Sequence, residues 1–301
     1  MHNHDHINLN KKHLFITFLL NISIFLVQII GGVISGSMAL ISDAMHNLSD
    51  SASLILTIIA NKISEKEKNT NYTFGYKRIE LLAAIVNSVL LLVIGIFIIK
   101  EAVVLFGENR IIDTNLMAYF ALFGVFANLI GTLLLKKDSE KNYNIKSAYL
   151  HLLTDVLSSV AVIVGAIVMK YFGLLWVDLL LSIVIAIYMI YESWEIILNS
   201  TRIFLMRAPK DLDLNLIIEN LYKNFEIKNI HHVHIWQMDE NNIHIEFHAE
   251  FFTNDLQEIS QIYDKIEEFL HDNYEITHLT IQAEYSRCCD KRIIAEKEKG
   301  H

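Results

Sequence analysis

Charged residues, proline and cysteine are all scarce in this sequence. Only 20% of the residues are charged and 53% are hydrophobic, whereas an ordinary soluble domain keeps about a quarter of its residues charged. This composition excludes the disordered and fibrous classes. The only two cysteines, Cys288 and Cys289, are adjacent, so no disulfide framework spaced along the chain holds the fold together.

Positive charge is also in short supply, and its distribution is uneven. The net charge is −9; residues 1–208 hold 16 basic and 15 acidic side chains, and residues 209–301 hold 9 and 19. A nearly neutral hydrophobic part therefore precedes an acidic soluble part. The balance argues against nucleic acid, whose phosphates require a basic surface, and favours cations as partners.

Long apolar runs dominate the first two thirds of the chain. A bilayer core of roughly 30 Å needs about 20 residues of helix. Six runs meet this length, and we expect six transmembrane helices near 14–34, 38–59, 79–105, 115–135, 147–169 and 174–198. The first run has no small-residue cleavage site behind it, so we expect a retained span rather than a signal peptide.

Lysine and arginine in short loops predict the orientation of these spans. Alternate loops carry fourteen basic residues on one side and three on the other, the three being Lys100, Arg110 and Lys170. This asymmetry predicts an integral, multi-pass membrane protein in the lipid bilayer with both termini in the cytoplasm.

The single proline, Pro209, stands where the apolar runs end, and we place the domain boundary there. Beyond it the pattern predicts a helix (212–224), two strands (230–238 and 243–252), a helix (256–273) and a strand (276–285). This αββαβ order is typical of a ferredoxin-like α+β domain. The expected organisation is an N-terminal arm (1–13), a membrane domain (14–208), a cytoplasmic domain (209–287) and a tail (288–301).

Two pairs of ionisable residues lie well inside the predicted spans. His46 and Asp50 in the second span and His151 and Asp155 in the fifth share the spacing His-x-x-x-Asp, which places each pair on one helix face. Ionisable groups at a helix centre cost at least about 2.5 kcal/mol each on insertion scales, so they are functional candidates. One alternative is two unrelated packing pairs, in which each histidine bonds the carboxylate one turn away in its own helix.

The two faces, brought together by antiparallel helices, would collect two imidazoles and two carboxylates. Zinc accepts two nitrogens and two oxygens in a tetrahedron, and all four groups also bind protons. Metal and protons would then compete for the same site. Asp43 is a candidate for orienting a ligand or for a polar residue at a helix end.

Several motifs resemble those of the cation diffusion facilitator family, in particular its zinc-transporting branch, over nearly the whole chain. These motifs are SGSMALISDAMHNLSD, FGYKRIELLAA, SAYLHLLTDVLSSVAVIVG, LMRAP, HHVHIW and HLTIQAE. The resemblance implies a homodimer with six spans that exports divalent metal from the cytoplasm in exchange for protons by alternating access.

The resemblance also implies the residues that bind metal. The transport site would consist of His46, Asp50, His151 and Asp155, and histidine at position 46 favours zinc, with cadmium or cobalt as further substrates. The family's second site, in the loop after the second span, should be missing because that loop has no histidine. In FGYKRIE, an ion pair of Arg78 and Glu80 would gate or anchor the third span.

In the soluble part, the resemblance implies a cytoplasmic metal site at His231, His248 and Glu284, where zinc would be a structural ion. Further candidates nearby are His234, His244, Glu246 and His278. Cys288 and Cys289 are either thiolate ligands or tail thiols, and His2, His4, Asp5 and His6 are either a metal-capturing arm or a plain tail. His271 is expected on a helix surface.

Two other classes of function are consistent with some of these features. An intramembrane metalloenzyme would need an open coordination position and a spare base, but four protein ligands close the shell. A membrane-anchored metal sensor would use the soluble site and leave the membrane site inert.

Overall fold

The computed structural model describes residues 3–108, 110–139, 143–239, 241–285 and 292–294. Six long helices come first, as predicted. They are α1 (Asn3–Ser35), α2 (Met38–Ser64), α3 (Arg78–Val104), α4 (Thr114–Ser139), α5 (Tyr143–Phe172) and α6 (Trp176–Phe204).

Five of these helices are long and apolar enough to cross a membrane. Among the described residues, these are α1, α3, α4, α5 and α6. The second helix, α2, is also 27 residues long, but it carries Asp43, His46, Asn47 and Asp50 among its apolar residues. The expected helical membrane domain is confirmed, and its most polar long helix is the one that holds the first His-x-x-x-Asp pair.

Helix α2 packs between two pairs of helices. Its Leu40 belongs to an apolar cluster with Val162 and other buried side chains of α4 and α5. Its Met38 belongs to a second cluster with Met189 and buried side chains of α3 and α6. A polar helix is thus surrounded by apolar neighbours, which keeps its ionisable side chains inside the bundle.

The turn between α1 and α2 is held by polar contacts. Gly36 has φ +72°, and a Cβ there would lie 2.8 Å from the carbonyl oxygen of Ile111, so only glycine fits. The carbonyl of Gly36 accepts a hydrogen bond from Arg110 Nη2 at 2.6 Å. Asp178 of α6 accepts hydrogen bonds from Ser37 Oγ (2.6 Å), the Met38 amide (2.9 Å) and the Ala39 amide (3.1 Å).

The soluble domain has the predicted αββαβ order. Its elements are α7 (Leu214–Asn224), β1 (Ile227–Gln237), β2 (Ile243–Phe251), α8 (Leu256–Tyr274) and β3 (Ile276–Glu284). The strands lie in the order β1-β2-β3, with β1 antiparallel and β3 parallel to β2. Both helices contribute to a single apolar core with the strands, and Phe225 contacts Phe269 between the two helical segments, so both helices cover the same face of the sheet.

Strand β1 contains an irregularity at its histidines. His231 is opposite His248, but His234 is opposite Glu246, so β1 has one extra residue there. His232 has φ +52°, which is uncommon for a residue other than glycine. The amides of His232 and Val233 donate hydrogen bonds to the carbonyl oxygens of Arg292 and Ile293, at 3.3 and 2.8 Å. A bulge of this kind redirects side chains and ends the regular ladder.

The chain divides into two compact units. One unit contains the helical segments up to Ile63 together with Ala83–Ile197, and the other contains Ser64–Leu82 together with the described residues from Leu198 onward. The loop between α2 and α3 therefore belongs to the same unit as the soluble domain.

Candidate metal sites

The two His-x-x-x-Asp pairs meet in one cluster. His46 Nε2 lies 3.4 Å from Asp155 Oδ1, and His151 Nε2 lies 3.2 Å from Asp50 Oδ2. Within each helix the corresponding distances are 3.6 Å for His46–Asp50 and 3.8 Å for His151–Asp155. The contacts between the helices are shorter than those within them, so the alternative of two unrelated pairs is wrong.

The dimensions of this membrane cluster, as we call these four residues, match a tetrahedral ion. Metal bonds of about 2.0–2.1 Å in a tetrahedron place neighbouring ligand atoms about 3.3–3.4 Å apart. The four nitrogen–oxygen distances are 3.2–3.8 Å. One ligand atom from each residue lies within 4.8 Å of all the others.

The ligand atoms of the membrane cluster are poorly satisfied without an ion. Within the described part of the chain, Asp155 Oδ1 and Oδ2, Asp50 Oδ2 and His46 Nδ1 are buried and have no hydrogen-bond partner. Buried polar atoms are normally hydrogen-bonded, and each exception needs an explanation. A cation at the centre of the cluster would satisfy the carboxylates.

Asp43 lies beside the cluster in a hydrogen-bond network. It is buried rather than at a helix end, and it accepts hydrogen bonds from Gln28 Nε2 (2.7 Å), Ser158 Oγ (2.7 Å) and Ser159 Oγ (3.0 Å). Asn47 completes the network by donating to the carbonyl of Asp43 at 2.8 Å. The network ties α1, α2 and α5 together one turn from the ligands.

Sequence reasoning missed the contact that α6 makes with the membrane cluster. The ring of Tyr188 lies edge-on to His46, with 6.1 Å between centroids. Its hydroxyl donates a hydrogen bond of 2.6 Å to Glu192, a residue that hydropathy alone places at the membrane interface. The spacing of four residues between Tyr188 and Glu192 was the available signal.

Three side chains of the soluble domain form a second group, here called the soluble cluster. His231 on β1, His248 on β2 and Glu284 on β3 come together as the sequence suggested. Glu284 Oε2 is 3.3 Å from His231 Nε2, and Oε1 is 3.0 Å from His248 Nδ1. These atoms could all reach one ion.

The soluble cluster is oriented by its neighbours. His231 Nδ1 lies 2.8 Å from the amide oxygen of Asn229, and a proton on Nδ1 leaves the Nε2 lone pair free for a metal. Burial, together with the nearby His232 and His231, lowers the pKa of His248, against an opposing effect of Glu284. A lowered pKa favours the neutral imidazole, which is the form that binds metal.

The other soluble histidines lie outside this cluster. His244 contacts Trp236 and His278, with ring centroids 5.4 and 4.7 Å apart, and neither histidine belongs to the group formed by His231, His248 and Glu284. His234 is exposed and contacts His232. Glu246 is exposed, and His271 lies on the surface of α8 as expected, beside Asp272. Cys288 and Cys289, and the side chains of the N-terminal histidines, lie outside the described residues.

The expected ion pair between Arg78 and Glu80 is wrong for the described residues. Glu80 instead accepts a hydrogen bond from Ser64 Oγ, and the guanidinium of Arg78 lies 5.7 Å from the ring centroid of Phe204. Sequence reasoning missed a different ion pair, between partly buried Arg110 and buried Asp178, whose Nη1 and Oδ2 atoms are 3.0 Å apart. Arg110 is one of only three basic residues on its side of the predicted spans, and this rarity was a signal that it has a specific partner.

Two family models match the chain. The cation efflux transmembrane domain matches residues 14–205, and the cytoplasmic domain of cation efflux proteins matches residues 209–286. The zinc transporter ZitB of Pectobacterium atrosepticum is 34% identical over 303 residues, which cover 100% of this chain and 94% of ZitB.

Two further relatives cover nearly the same length. The cadmium, cobalt and zinc/H(+)-K(+) antiporter of Bacillus subtilis is 38% identical over 94% of this chain and 91% of its own. The metal cation efflux system protein CzcD of Cupriavidus metallidurans is 32% identical over 95% of this chain and 90% of CzcD. These relatives are membrane transporters rather than enzymes. The chain belongs to the cation efflux family of membrane transporters.

Proposed function

We propose that this protein exports divalent metal, zinc above all, from the cytoplasm in exchange for protons, with the membrane cluster as the transport site. The observation that carries the proposal is the meeting of His46, Asp50, His151 and Asp155 at ligand–ligand distances that suit a tetrahedral ion. Both helices that supply these residues lie in the domain that defines the family.

The donor set supports zinc as the cargo. Two imidazoles and two carboxylates match the nitrogen and oxygen ligands that zinc accepts. Zinc also occurs in the names of two of the relatives. Cadmium and cobalt are further candidates, since ligand type alone discriminates weakly among divalent metals and availability in the cell decides.

Proton exchange follows from the chemistry of the same four side chains. Imidazole and carboxylate groups bind metal only after they lose a proton, so each zinc ion bound displaces protons. When the site opens to the other side, protons compete for the ligands and the metal leaves. The protonated cluster then returns without bare carboxylates in the membrane, which would be costly. Alternating access around one site couples the two flows.

The direction of export depends on the orientation, which the loop charges predict. Fourteen basic residues against three favour a cytoplasmic position of both termini. The acidic soluble domain would then face the cytoplasm and raise the local concentration of cations near the entrance. We propose a homodimer joined through this domain, with zinc in the soluble cluster as a structural ion.

Zinc flux in reconstituted vesicles with an imposed pH gradient tests this function. The native chain should take up zinc when the gradient is imposed, while Asp50→Ala and His151→Ala should lose the flux. His278→Ala, which removes an exposed histidine outside both clusters, is the matched control and should retain it.

A correctly inserted native chain that binds zinc tightly but moves none would overturn the transporter assignment and favour a sensor. Flux in the native chain that survives in both Asp50→Ala and His151→Ala would reject the membrane cluster as the site.

A further inference from the structure

A cavity of about 430 Å³ lies within the unit formed by the soluble domain and the loop between α2 and α3. Its wall is mostly apolar, and such a volume is typical of pockets that hold small molecules. Its lining includes Phe74, Arg78, Phe204, Met206, Trp236 and Met238. Neither metal cluster contributes to this cavity, so it has no part in the proposed transport site.

The cavity wall contains nitrogen donors that lack acceptors. In the residues that the structure describes, Nε and Nη2 of Arg78 and Nε1 of Trp236 are buried and have no hydrogen-bond partner. Leaving such donors unsatisfied is costly, above all for a charged guanidinium. Arg78 and Trp236 carry only donors on their side chains, so the missing partner must be an acceptor.

The charge of the wall specifies the kind of acceptor. Lys77 and Arg78 both line the cavity, and none of its twelve lining residues is acidic. Guanidinium groups bind phosphate with particular strength because their hydrogen bonds are charge-assisted. The ring of Phe204 covers one side of the Arg78 guanidinium, which leaves the planar edge with its N–H groups for an anion.

The position of the cavity along the chain points to a lipid as the source of that anion. Arg78 is the first residue of the candidate span Arg78–Val104, and Phe204 is the last residue of the candidate span Trp176–Phe204. Span ends lie at the membrane–water interface, where basic pockets bind the headgroups of anionic lipids. Phe74 and Met206 add exposed apolar surface at the same place.

We propose that this cavity binds one anionic phospholipid, with its phosphate on Arg78, Lys77 and Trp236 and the upper part of an acyl chain against Phe74, Phe204 and Met206. A soluble phosphate would satisfy the donors but would leave the apolar wall exposed to water. An anionic lipid satisfies both parts of the cavity. The lipid would then contact both the loop after α2 and the end of β1, two segments that belong to the same unit.

Fluorescence of Trp236 provides a direct test. The sequence has three tryptophans, so the full-length Trp176→Phe/Trp194→Phe variant leaves Trp236 as the only emitter. It is reconstituted into phosphatidylcholine vesicles that contain dibrominated phosphatidylglycerol or, in parallel, dibrominated phosphatidylcholine. Bromine on the acyl chains quenches tryptophan at close range, and we expect quenching of Trp236 by the brominated phosphatidylglycerol at low mole fraction but not by the brominated phosphatidylcholine.

Charge variants locate the headgroup. Arg78→Gln should weaken the phosphatidylglycerol dependence by about fivefold or more, given about 1 kcal/mol for each basic residue at an anionic surface. Lys77→Gln is a second test because Lys77 is exposed and its replacement removes no buried contact. Arg202→Gln is the matched control: Arg202 lies in the last turn of α6, bonds Asn199 and does not line the cavity.

Four outcomes would overturn the proposal. Equal quenching by both lipids would mean that an apolar chain fills the cavity without headgroup recognition. Displacement of the quencher by inorganic phosphate in the buffer would identify a soluble anion as the occupant. Emission that neither lipid quenches would indicate a protein segment, such as a second copy of this chain. If Arg202→Gln weakened the phosphatidylglycerol dependence as much as Arg78→Gln, the dependence would reflect general surface charge rather than binding in the cavity.

Discussion

The membrane cluster and the soluble cluster use the same kinds of side chain but support them differently. In the membrane domain, four candidate ligands come from two helices, and within the described residues the Nδ1 atom of buried His46 has no hydrogen-bond partner. In the soluble domain, three candidate ligands come from three strands, and Nδ1 of His231 lies 2.8 Å from the amide oxygen of Asn229, which favours a free Nε2. Ligand atoms of both clusters, among them His231 Nε2 and Glu284 Oε2, lack hydrogen-bond partners within the described residues. The difference lies in the orientation of one histidine, which Asn229 restrains in the soluble cluster and which no described side chain restrains at Nδ1 of His46.

This difference suits different tasks. A transport site must release its ion, so ligands that few hydrogen bonds restrain are an advantage when two helices move relative to each other. A structural site must retain its ion, and hydrogen bonds to the ligands raise affinity for that purpose. Under the proposed function, similar chemistry in one chain would serve a transported ion in the membrane cluster and a structural ion in the soluble cluster.

Asp155→Ala should separate the two sites most clearly. It removes one ligand from the membrane cluster, so we expect zinc export to fall to the level of empty vesicles while zinc binding to the soluble cluster persists. Equilibrium dialysis of the purified variant, alongside the flux assay, measures both. The converse variant, Glu284→Gln, should lose the soluble ion and keep measurable flux; loss of the same ion in both variants would refute two independent sites.

Asp178→Asn should have the next largest effect, and it acts on stability. Asp178 is fully buried, paired with Arg110 and bonded to the start of α2. Breaking a buried pair costs about 3–5 kcal/mol, so the unfolding temperature of the detergent-solubilised protein should fall markedly.

Asp155→Asn is the control for that measurement. It removes a buried carboxylate that has no hydrogen-bond partner in the described part of the chain. Its nearest basic group, His46 Nε2 at 3.4 Å, can lose its proton and become neutral, whereas Arg110 cannot, so metal-free protein should lose less stability. Equal losses in the two variants would show that the membrane cluster is as firmly built as the Asp178 contact.

Asn229→Ala tests whether the soluble cluster owes its affinity to preorganisation. Outer partners of metal ligands are worth about 10–100-fold in affinity, and we expect a loss in that range for the soluble ion. Competition with a zinc chelator in the Asp155→Ala background measures this site alone. Asn273→Ala, at the exposed end of α8, is the control for the loss of an amide side chain. Unchanged zinc affinity in Asn229→Ala would mean that orientation of His231 does not distinguish the two clusters.

The smallest expected effect is a pH dependence of the soluble cluster. Burial lowers the pKa of His248 below its ordinary value of about 6.5, so the folded chain binds fewer protons there than the unfolded chain. Its contribution to stability should be present above about pH 6.5 and should fall as the pH drops toward the folded pKa.

Zinc binding should follow the same direction. We expect affinity in the Asp155→Ala background to hold near neutral pH and to decline only below about pH 6.5. A His248→Gln variant should bind more weakly and show a shallower decline, as measured by titration with zinc from about pH 8 to about pH 5. A steeper fall of zinc affinity with pH in His248→Gln would mean that a group other than His248 binds the competing proton.

Much of the fold was predictable because its patterns are local. The amphipathic and alternating patterns after Pro209 predicted all five soluble elements, and β2 begins at Ile243 as expected. The membrane cluster was predictable because ionisable residues inside apolar spans are conspicuous. In contrast, the pairing of Arg110 with Asp178 joins residues 68 positions apart, and each looks like an ordinary loop or helix-end charge when read alone.

The bulge in β1 was also beyond the reach of the sequence. A left-handed His232 gives no pattern that distinguishes it from its neighbours in HHVHIW, since histidine is common in regular strands as well. The bulge depends on carbonyl groups of Arg292 and Ile293, about sixty positions away, which accept hydrogen bonds from the strand. Only the folded chain brings these groups together.

The two hydrogen bonds between β1 and the segment at Arg292 and Ile293 have a consequence for solubility. β1 is an edge strand of the sheet, and an edge with free amide groups can pair with strands of other molecules and begin aggregation. The segment at Arg292 and Ile293 occupies the amides of His232 and Val233, and the left-handed kink at His232 interrupts the straight edge that an incoming strand would need. A chain truncated after residue 285 should therefore aggregate more readily than the full chain, even though it retains the five helices and strands described for the soluble domain.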